Sequence, residues 1–231
     1  MRLERAMAKN TVSSYQRDLR KVALYFEESK PNPLKLSLKD LEGFIAEIAQ
    51  EGIAARSQAR HISAIRSFYK FLTLEELIDI DPSELLESPK VGRKLPDFLS
   101  IDEVTAIIDA VDMGKDEGHR NRAILETLYG CGLRVSELTD LRISDLFFKE
   151  SIIRVTGKGD KERLVPINKL AIKYIGIYRE EVRVHQTVVK GNEDFLFLNR
   201  RGKKLTRAMI FHIIKMLTAK AGIKKKVSPH T

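Results

Sequence analysis

One cysteine, no tryptophan and 7% aromatic residues set the first limits on this 231-residue chain. The single thiol, Cys131, excludes an internal disulfide and fits a reducing cytosol. Scarce aromatic rings argue against binding unpaired bases by stacking. No apolar run approaches the length of a bilayer, and the N-terminus lacks an apolar signal-peptide core, so no membrane association is expected. His61, His119, His185 and His212 are scattered, with no second histidine or carboxylate pair at ligand spacing, and no metal site is expected. The clustered acids of a metal-dependent nuclease are missing too. There is no Gly-x-x-x-x-Gly-Lys-Ser/Thr loop, so Gly157-Lys158-Gly159 is not a nucleotide-binding P-loop. Internal repeats and low-complexity stretches are absent.

What is abundant is positive charge. Forty-one lysines and arginines stand against 32 acids, a formal net charge of +9. That excess implies either a polyanionic partner or a solubilising surface. The basic residues fall in several clusters: Arg17, Arg20 and Lys21; Arg56, Arg60, Arg66 and Lys70; Arg200 to Arg207; and Lys220 to Lys226. Dispersal of this kind suits a protein that wraps a duplex, whereas a basic tail would form one block. If the partner is a nucleic acid, contact with a duplex backbone is the better reading than base stacking, with Arg56, Arg60 and Arg66 as candidate contacts. An apolar content of 43% is ordinary for a globular protein, and the length allows two small domains or one large one.

The first part of the chain reads as helix. Val12, Tyr15, Leu19, Val22 and Phe26 recur at helical steps behind Asn10 or Thr11 as N-cap, and Pro31 and Pro33 end that helix. Ser37 and Asp40 form a capping-box start for a second helix that stops at Gly52. A third presents Ile62, Ile65, Phe68, Tyr69 and Leu72 on one face, and a short fourth is expected near Leu74–Ile78. Residues 87–97 contain two prolines and a glycine with no apolar period, the composition of a linker. Beyond it, Ser100 and Glu103 form a second capping box, with Ile101, Val104, Ile107, Ile108 and Val111 as an apolar face. A helix around Arg120–Tyr129 follows. The one convincing β signal is Ser151–Thr156 paired with Arg163–Ile167. Two helices, near Leu170–Val184 and Thr206–Ala221, close the pattern. All six tyrosines, Tyr15, Tyr25, Tyr69, Tyr129, Tyr174 and Tyr178, fall at apolar-face positions. The expected fold is mainly α with a small β-hairpin, in the α+β class. It divides into a helical domain at 1–86 and a mostly helical α+β domain at 98–231.

Three residues sit in settings that suit a bound phosphodiester. Arg134 lies in Gly130-Cys131-Gly132-Leu133-Arg134-Val135-Ser136-Glu137-Leu138, a glycine-punctuated turn entering a short apolar helix. A guanidinium there can fork onto phosphate with two hydrogen bonds and stays charged; the bland reading is an arginine that caps, or pairs with Glu137 on, its own helix. Lys158 is at the tip of the expected hairpin, Gly157-Lys158-Gly159-Asp160-Lys161-Glu162-Arg163-Leu164-Val165-Pro166. Flanking glycines would let its ammonium reach into a groove, while the bland reading is a solvated charge. Lys161 and Arg163 on the returning strand read as backbone-phosphate contacts. His230 follows Pro229, at a candidate helix start whose dipole favours an anion, or is a terminal histidine without a fixed role. Cys131, between glycines, reads as structural.

These motifs and their spacing resemble the catalytic domain of the tyrosine recombinases, most closely the Xer branch of bacterial chromosome-resolution recombinases. The resemblance covers essentially the whole chain and is most specific between Arg134 and Pro166. It implies that the N-terminal part is a SAM-like core-binding domain. Arg134 would then neutralise the phosphate, Lys158 protonate the leaving 5′-oxygen, His230 donate to phosphate, and Glu137 buttress Arg134 or His230. In that family the histidine opens a His-x-x-Arg motif, followed by a His or Trp and then the tyrosine nucleophile, all beyond Thr231. The chain is therefore expected to be C-terminally truncated, and inactive and poorly tetrameric as it stands. Uncovered apolar surface is expected on the Thr206–Ala221 helix. The implied activity is strand exchange through a 3′-phosphotyrosyl link, with no cofactor. The implied partners are a second Xer recombinase in a heterotetramer on two DNA sites and a septal DNA translocase. The linker from Ser88 to Pro96 and the segment Ser63–Tyr69 resemble the D-type partner more than the C-type. A phage or transposon integrase and a non-catalytic DNA-binding protein are the rivals. The lack of an arm-binding domain before residue 1 favours Xer over the first.

Overall fold

A computed structural model describes residues 9–29, 32–90, 92, 98–157 and 159–229. The chain forms two compact units, Met1–Lys94 and Leu95–Thr231. It is mostly helical with one small sheet, as the sequence led us to expect.

The first unit packs α1 (Lys9–Phe26), α2 (Leu38–Gln50) and α3 (Ala55–Leu74) around Phe44, Ile48, Ile62, Ile65 and Tyr69. Neither Asn10 nor Thr11 is an N-cap, because α1 already runs through both. The helix also ends at Phe26, short of Pro31, which lies outside the described residues. Pro33 instead opens a 3-10 turn capped by the Asn32 side chain. The Ser37–Asp40 box is present, and Gly52 at φ +78° closes α2 with the left-handed residue that such helix ends require. The expected helix near Leu74–Ile78 does not exist. At that point α3 is terminated by a Schellman closure: Leu77 N–H donates to Leu72 C=O and Glu76 N–H to Thr73 C=O. That closure puts Glu76, which has a Cβ, at φ +55°.

In the second unit, α4 (Ile101–Asp109) starts at the Ser100–Glu103 box, and Lys225 Nζ donates to Glu103 Oε2 at 2.8 Å. Ile107, Ile108 and Val111 are buried, but Ile101 is 72% exposed and does not belong to the apolar face. The second unit's core is built on α5 (Asp116–Cys131), with Ala123 and Ile124 buried. Next comes α6 (Val135–Asp140), then a three-stranded antiparallel sheet. Strands β2 (Ile152–Thr156) and β3 (Glu162–Pro166) pair with Ile153 opposite Val165. An unforeseen β1 (Leu146–Phe147) adds to the free edge of β2.

The single helix expected over Leu170–Val184 is three segments. Helix α7 (Lys169–Ile177) passes into a π turn at Tyr178–Val182 and a 3-10 turn at Arg183–His185. The π turn keeps both Tyr178 and Val182 in the core, where Tyr178 stacks on Phe197 and its oxygen accepts from Leu198 N–H. Asn168 caps α7, and its amide occupies the space a Cβ on Gly130 would need, 2.4 Å from Nδ2. The last helix is α8 (Arg207–Lys220), capped by Thr206. On it Met209, Phe211 and Met216 are exposed, the apolar surface anticipated there. Two tyrosines depart from expectation: Tyr25 and Tyr129 are exposed. Among the described residues no helix is long and apolar enough to cross a membrane.

Candidate active site at the start of helix α6

Helix α5 stops because Gly132 turns left-handed, at φ +58°, and its N–H bonds back to Leu128 C=O. The chain then buries Leu133 and presents Arg134 at the N-cap of α6, with extended backbone angles. An arginine has no acceptor to cap a helix, so only half of a capping box forms. Glu137, three residues on, folds back and its Oε2 accepts from Arg134 N–H at 2.8 Å. Its Oε1 accepts from Arg134 Nη1, also at 2.8 Å.

Glu137 is 3% exposed, yet it has a second cationic partner. Arg163 on β3 donates with both terminal nitrogens, Nη1 to Oε1 at 2.7 Å and Nη2 to Oε2 at 2.9 Å. The carboxylate therefore accepts four hydrogen bonds, about the capacity of its lone pairs. Its pKa falls from the ordinary 4.5 to about 2. The Arg163 hydrogen bonds are the main cause, the Arg134 backbone and side chain add to them, and burial works in the opposite direction.

Arg134 is positioned quite differently. Its side chain is 64% exposed, and among the described residues Glu137 is the one side-chain partner of its guanidinium. Two arginines against one carboxylate leave net positive charge at the mouth of the site. An apolar groove of about 430 Å³ adjoins it, lined by Val104, Ile108, Leu125, Leu133, Ile214 and Pro229. Arg134 and Tyr129 also line this groove.

The site residues named from the sequence fare unequally. Lys158 and His230 lie outside the described residues. Between the strands that flank Lys158 in sequence, Gly157 N–H donates to Lys161 C=O, which closes the turn between β2 and β3. A Cβ on Gly157 would stand 3.5 Å from Glu137 Oε1, so the stem of that turn lies against the Glu137 cluster. Pro229, just before His230, lines the Arg134 groove. Lys161 is exposed. Arg163, read as a phosphate contact, turns its fork onto Glu137 instead. That partnership was missed because no local pattern joins residues 26 apart. Cys131 is partly buried, and burial pushes its thiol up to about 11, as a structural cysteine requires.

In the other unit, α3 carries Arg56, Arg60 and Arg66 on its exposed side. Arg60 forks onto buried Asp18 of α1, at 2.7 and 2.9 Å, and Arg66 donates to Leu86 C=O. These two are held by their own unit. Among the described residues no group of three or more His, Cys, Asp or Glu is placed to hold a metal ion.

Residues 97–231 match the phage integrase family, and residues 1–76 match its N-terminal SAM-like domain. The chain belongs to the phage integrase family. Within that family it is a XerD-like tyrosine recombinase. It is 42% identical to tyrosine recombinase XerD of Oceanobacillus iheyensis over 233 aligned residues, covering 100% of this chain and 78% of that protein. It is 40% identical to tyrosine recombinase XerD of Staphylococcus aureus strain Mu50, with the same coverage. Among solved structures, XerA recombinase aligns at 31% identity with a TM-score of 0.52, over 97% of this chain and 75% of that one. XerH site-specific recombinase, bound to a palindromic difH substrate after cleavage, has a TM-score of 0.77 at 21% identity. That match covers 95% of this recombinase and 65% of XerH, and it speaks for the fold alone.

Proposed function

We propose that this site-specific recombinase holds a scissile phosphodiester of duplex DNA at Arg134 and exchanges strands by transesterification during chromosome dimer resolution. The observation that carries this reading is an exposed guanidinium held from behind by a buried, ionised carboxylate. Such a fork is oriented before the substrate arrives, so charge developing on the non-bridging oxygens meets a fixed partner. Glu137 acts through Arg134 by keeping it aimed.

Two transesterifications complete the reaction. A tyrosine, which the family places after His230, attacks phosphorus and forms a 3′-phosphotyrosyl bond as the P–O5′ bond breaks. Lys158 gives its proton to the departing 5′-oxygen, and His230 donates a hydrogen bond to the phosphate. The free 5′-hydroxyl of one duplex then attacks the link on the other, forming a new P–O5′ bond as the P–O bond to tyrosine breaks and the phenol is released. Phosphodiester energy is conserved in the covalent link, so no nucleotide cofactor is needed. Arg56 and Lys161 contact the DNA backbone, and Arg60 and Arg66 do so only with the donors their own unit leaves free. The helical domain at 1–86 and the catalytic domain at 98–231, joined by the linker, both bind DNA. The recombinase acts in the cytoplasm with a second Xer recombinase and a septal DNA translocase. XerD relatives at 40–42% identity favour this over a mobile-element integrase, for which the likeness to Tn1549 integrase, at 18% identity, is one of fold.

The test uses the protein at its natural length and a nicked duplex carrying a chromosome-resolution site. A covalent protein–DNA adduct on a denaturing gel is expected, and Arg134→Ala should abolish it while the protein still binds. Unchanged adduct formation by Arg134→Ala would refute the assignment of the phosphate to Arg134.

A further inference from the structure

The Glu137 cluster joins two parts of the catalytic unit that are remote in sequence. Arg134 and Glu137 belong to the start of α6. Arg163 belongs to β3, where it pairs in register with Val155 of β2, one strand position before the chain enters the turn that contains Lys158 in sequence. A single buried carboxylate is thus the reference point for both.

We propose that Arg163 is a positioning residue for Arg134, acting through Glu137, and not a contact to the DNA backbone. This rests on the reading of Arg134 as the phosphate clamp. An exposed arginine tied to a carboxylate three residues away forms a weak pair that leaves the side chain free to change rotamer. Here the carboxylate itself cannot swing. The parallel fork from Arg163 fixes the plane of Glu137, and that plane directs Oε1 at Arg134 Nη1 and Oε2 at Arg134 N–H. Swinging Arg163 toward a phosphate would strip a buried carboxylate of two of its four hydrogen bonds, an arrangement that buried charges avoid. A lysine is no substitute, because a point charge cannot span both oxygens. Registering α6 and the β2–β3 stem on one anion also ties the phosphate clamp to the strands flanking the proposed proton donor.

The experiment compares wild type, Arg163→Ala, Arg163→Lys, Lys161→Ala and Arg134→Ala in the natural-length protein. Duplex affinity and the first-order rate of adduct formation at saturating DNA are measured separately. Misplacing a catalytic group by a fraction of an ångström lowers the rate at saturation, so Arg163→Ala and Arg163→Lys should each be slower by about tenfold or more. Their Kd values should stay within about twofold of wild type, and added guanidinium ion should restore part of the Arg163→Ala rate. Lys161→Ala sets the pattern for a phosphate contact: weaker binding, with a salt slope shallower by about one. Arg163→Ala behaving like Lys161→Ala, or matching the wild-type rate at saturation, overturns the proposal. Should Arg163→Ala fail to fold, Glu137→Gln/Arg163→Ala removes both charges together. Its rate should equal that of Glu137→Gln alone within about twofold, and a further additive loss counts against coupling through Glu137. The underlying reading fails separately, if Arg134→Ala forms adduct at the wild-type rate.

Discussion

Glu137 shows how one side chain sets the chemistry of a site. It is buried and accepts from two arginines, so folding holds it ionised far below the usual carboxylate range, at about 2. A carboxyl whose pKa is depressed by folding contributes stability that is fully present above its unfolded value. That contribution disappears as pH falls from about 4.5 toward about 2. Wild type should therefore lose stability through this window more steeply than Glu137→Gln, which has no proton to gain there. Urea unfolding at a series of pH values will show it, and parallel profiles for the two proteins would exclude Glu137 as the titrating group. At neutral pH the glutamine variant should be the less stable, since its amide N–H₂ faces arginine donors instead of accepting from them.

At the scale of the element, helix ends decide where functional side chains stand. Gly132 ends α5 and frees the chain to present Arg134 at the next N-cap. Glu76 serves as the C′ residue of α3 in the same left-handed region, at φ +55°, without a glycine's freedom. Replacing it with glycine should relieve that strain and stabilise the first unit by about 1 kcal/mol. Thermal denaturation of Glu76→Gly should show a raised Tm, and a fall would mean that the Glu76 side chain makes a compensating contribution. The strained cap also explains why no fourth helix follows. Apolar residues continue past Leu74, but the backbone has already turned away.

For the whole molecule, charge is the leading property. An excess of +9 spread over several clusters should make binding to duplex DNA steeply salt-dependent, with log K falling linearly in log salt. Fluorescence anisotropy across a salt series measures the slope. A flat response would exclude backbone phosphate contacts as the source of affinity. Arg60 and Arg163 have their forks on Asp18 and Glu137, and Arg66 donates to a backbone carbonyl. Alanine at Arg56 or Lys161 should therefore reduce the slope more than alanine at Arg163.

Local signals were legible in the sequence because their partners are neighbours along the chain. Both serine capping boxes, the β2–β3 hairpin and the setting of Arg134 depend on contacts near in sequence, as does the motif that marks the family. Strand β1 has too few residues to show a period, and the π turn at Tyr178 answers to Leu198 and Phe197, which the chain delivers much later. Exposure of Ile101, Tyr25 and Tyr129 likewise follows from where other elements pack. Composition and motif by themselves determined a basic, mainly helical recombinase with Arg134 at a helix entrance. Only the tertiary structure decided that the fork of Arg163 bonds to Glu137, because a buried carboxylate takes whichever cation folding brings to it.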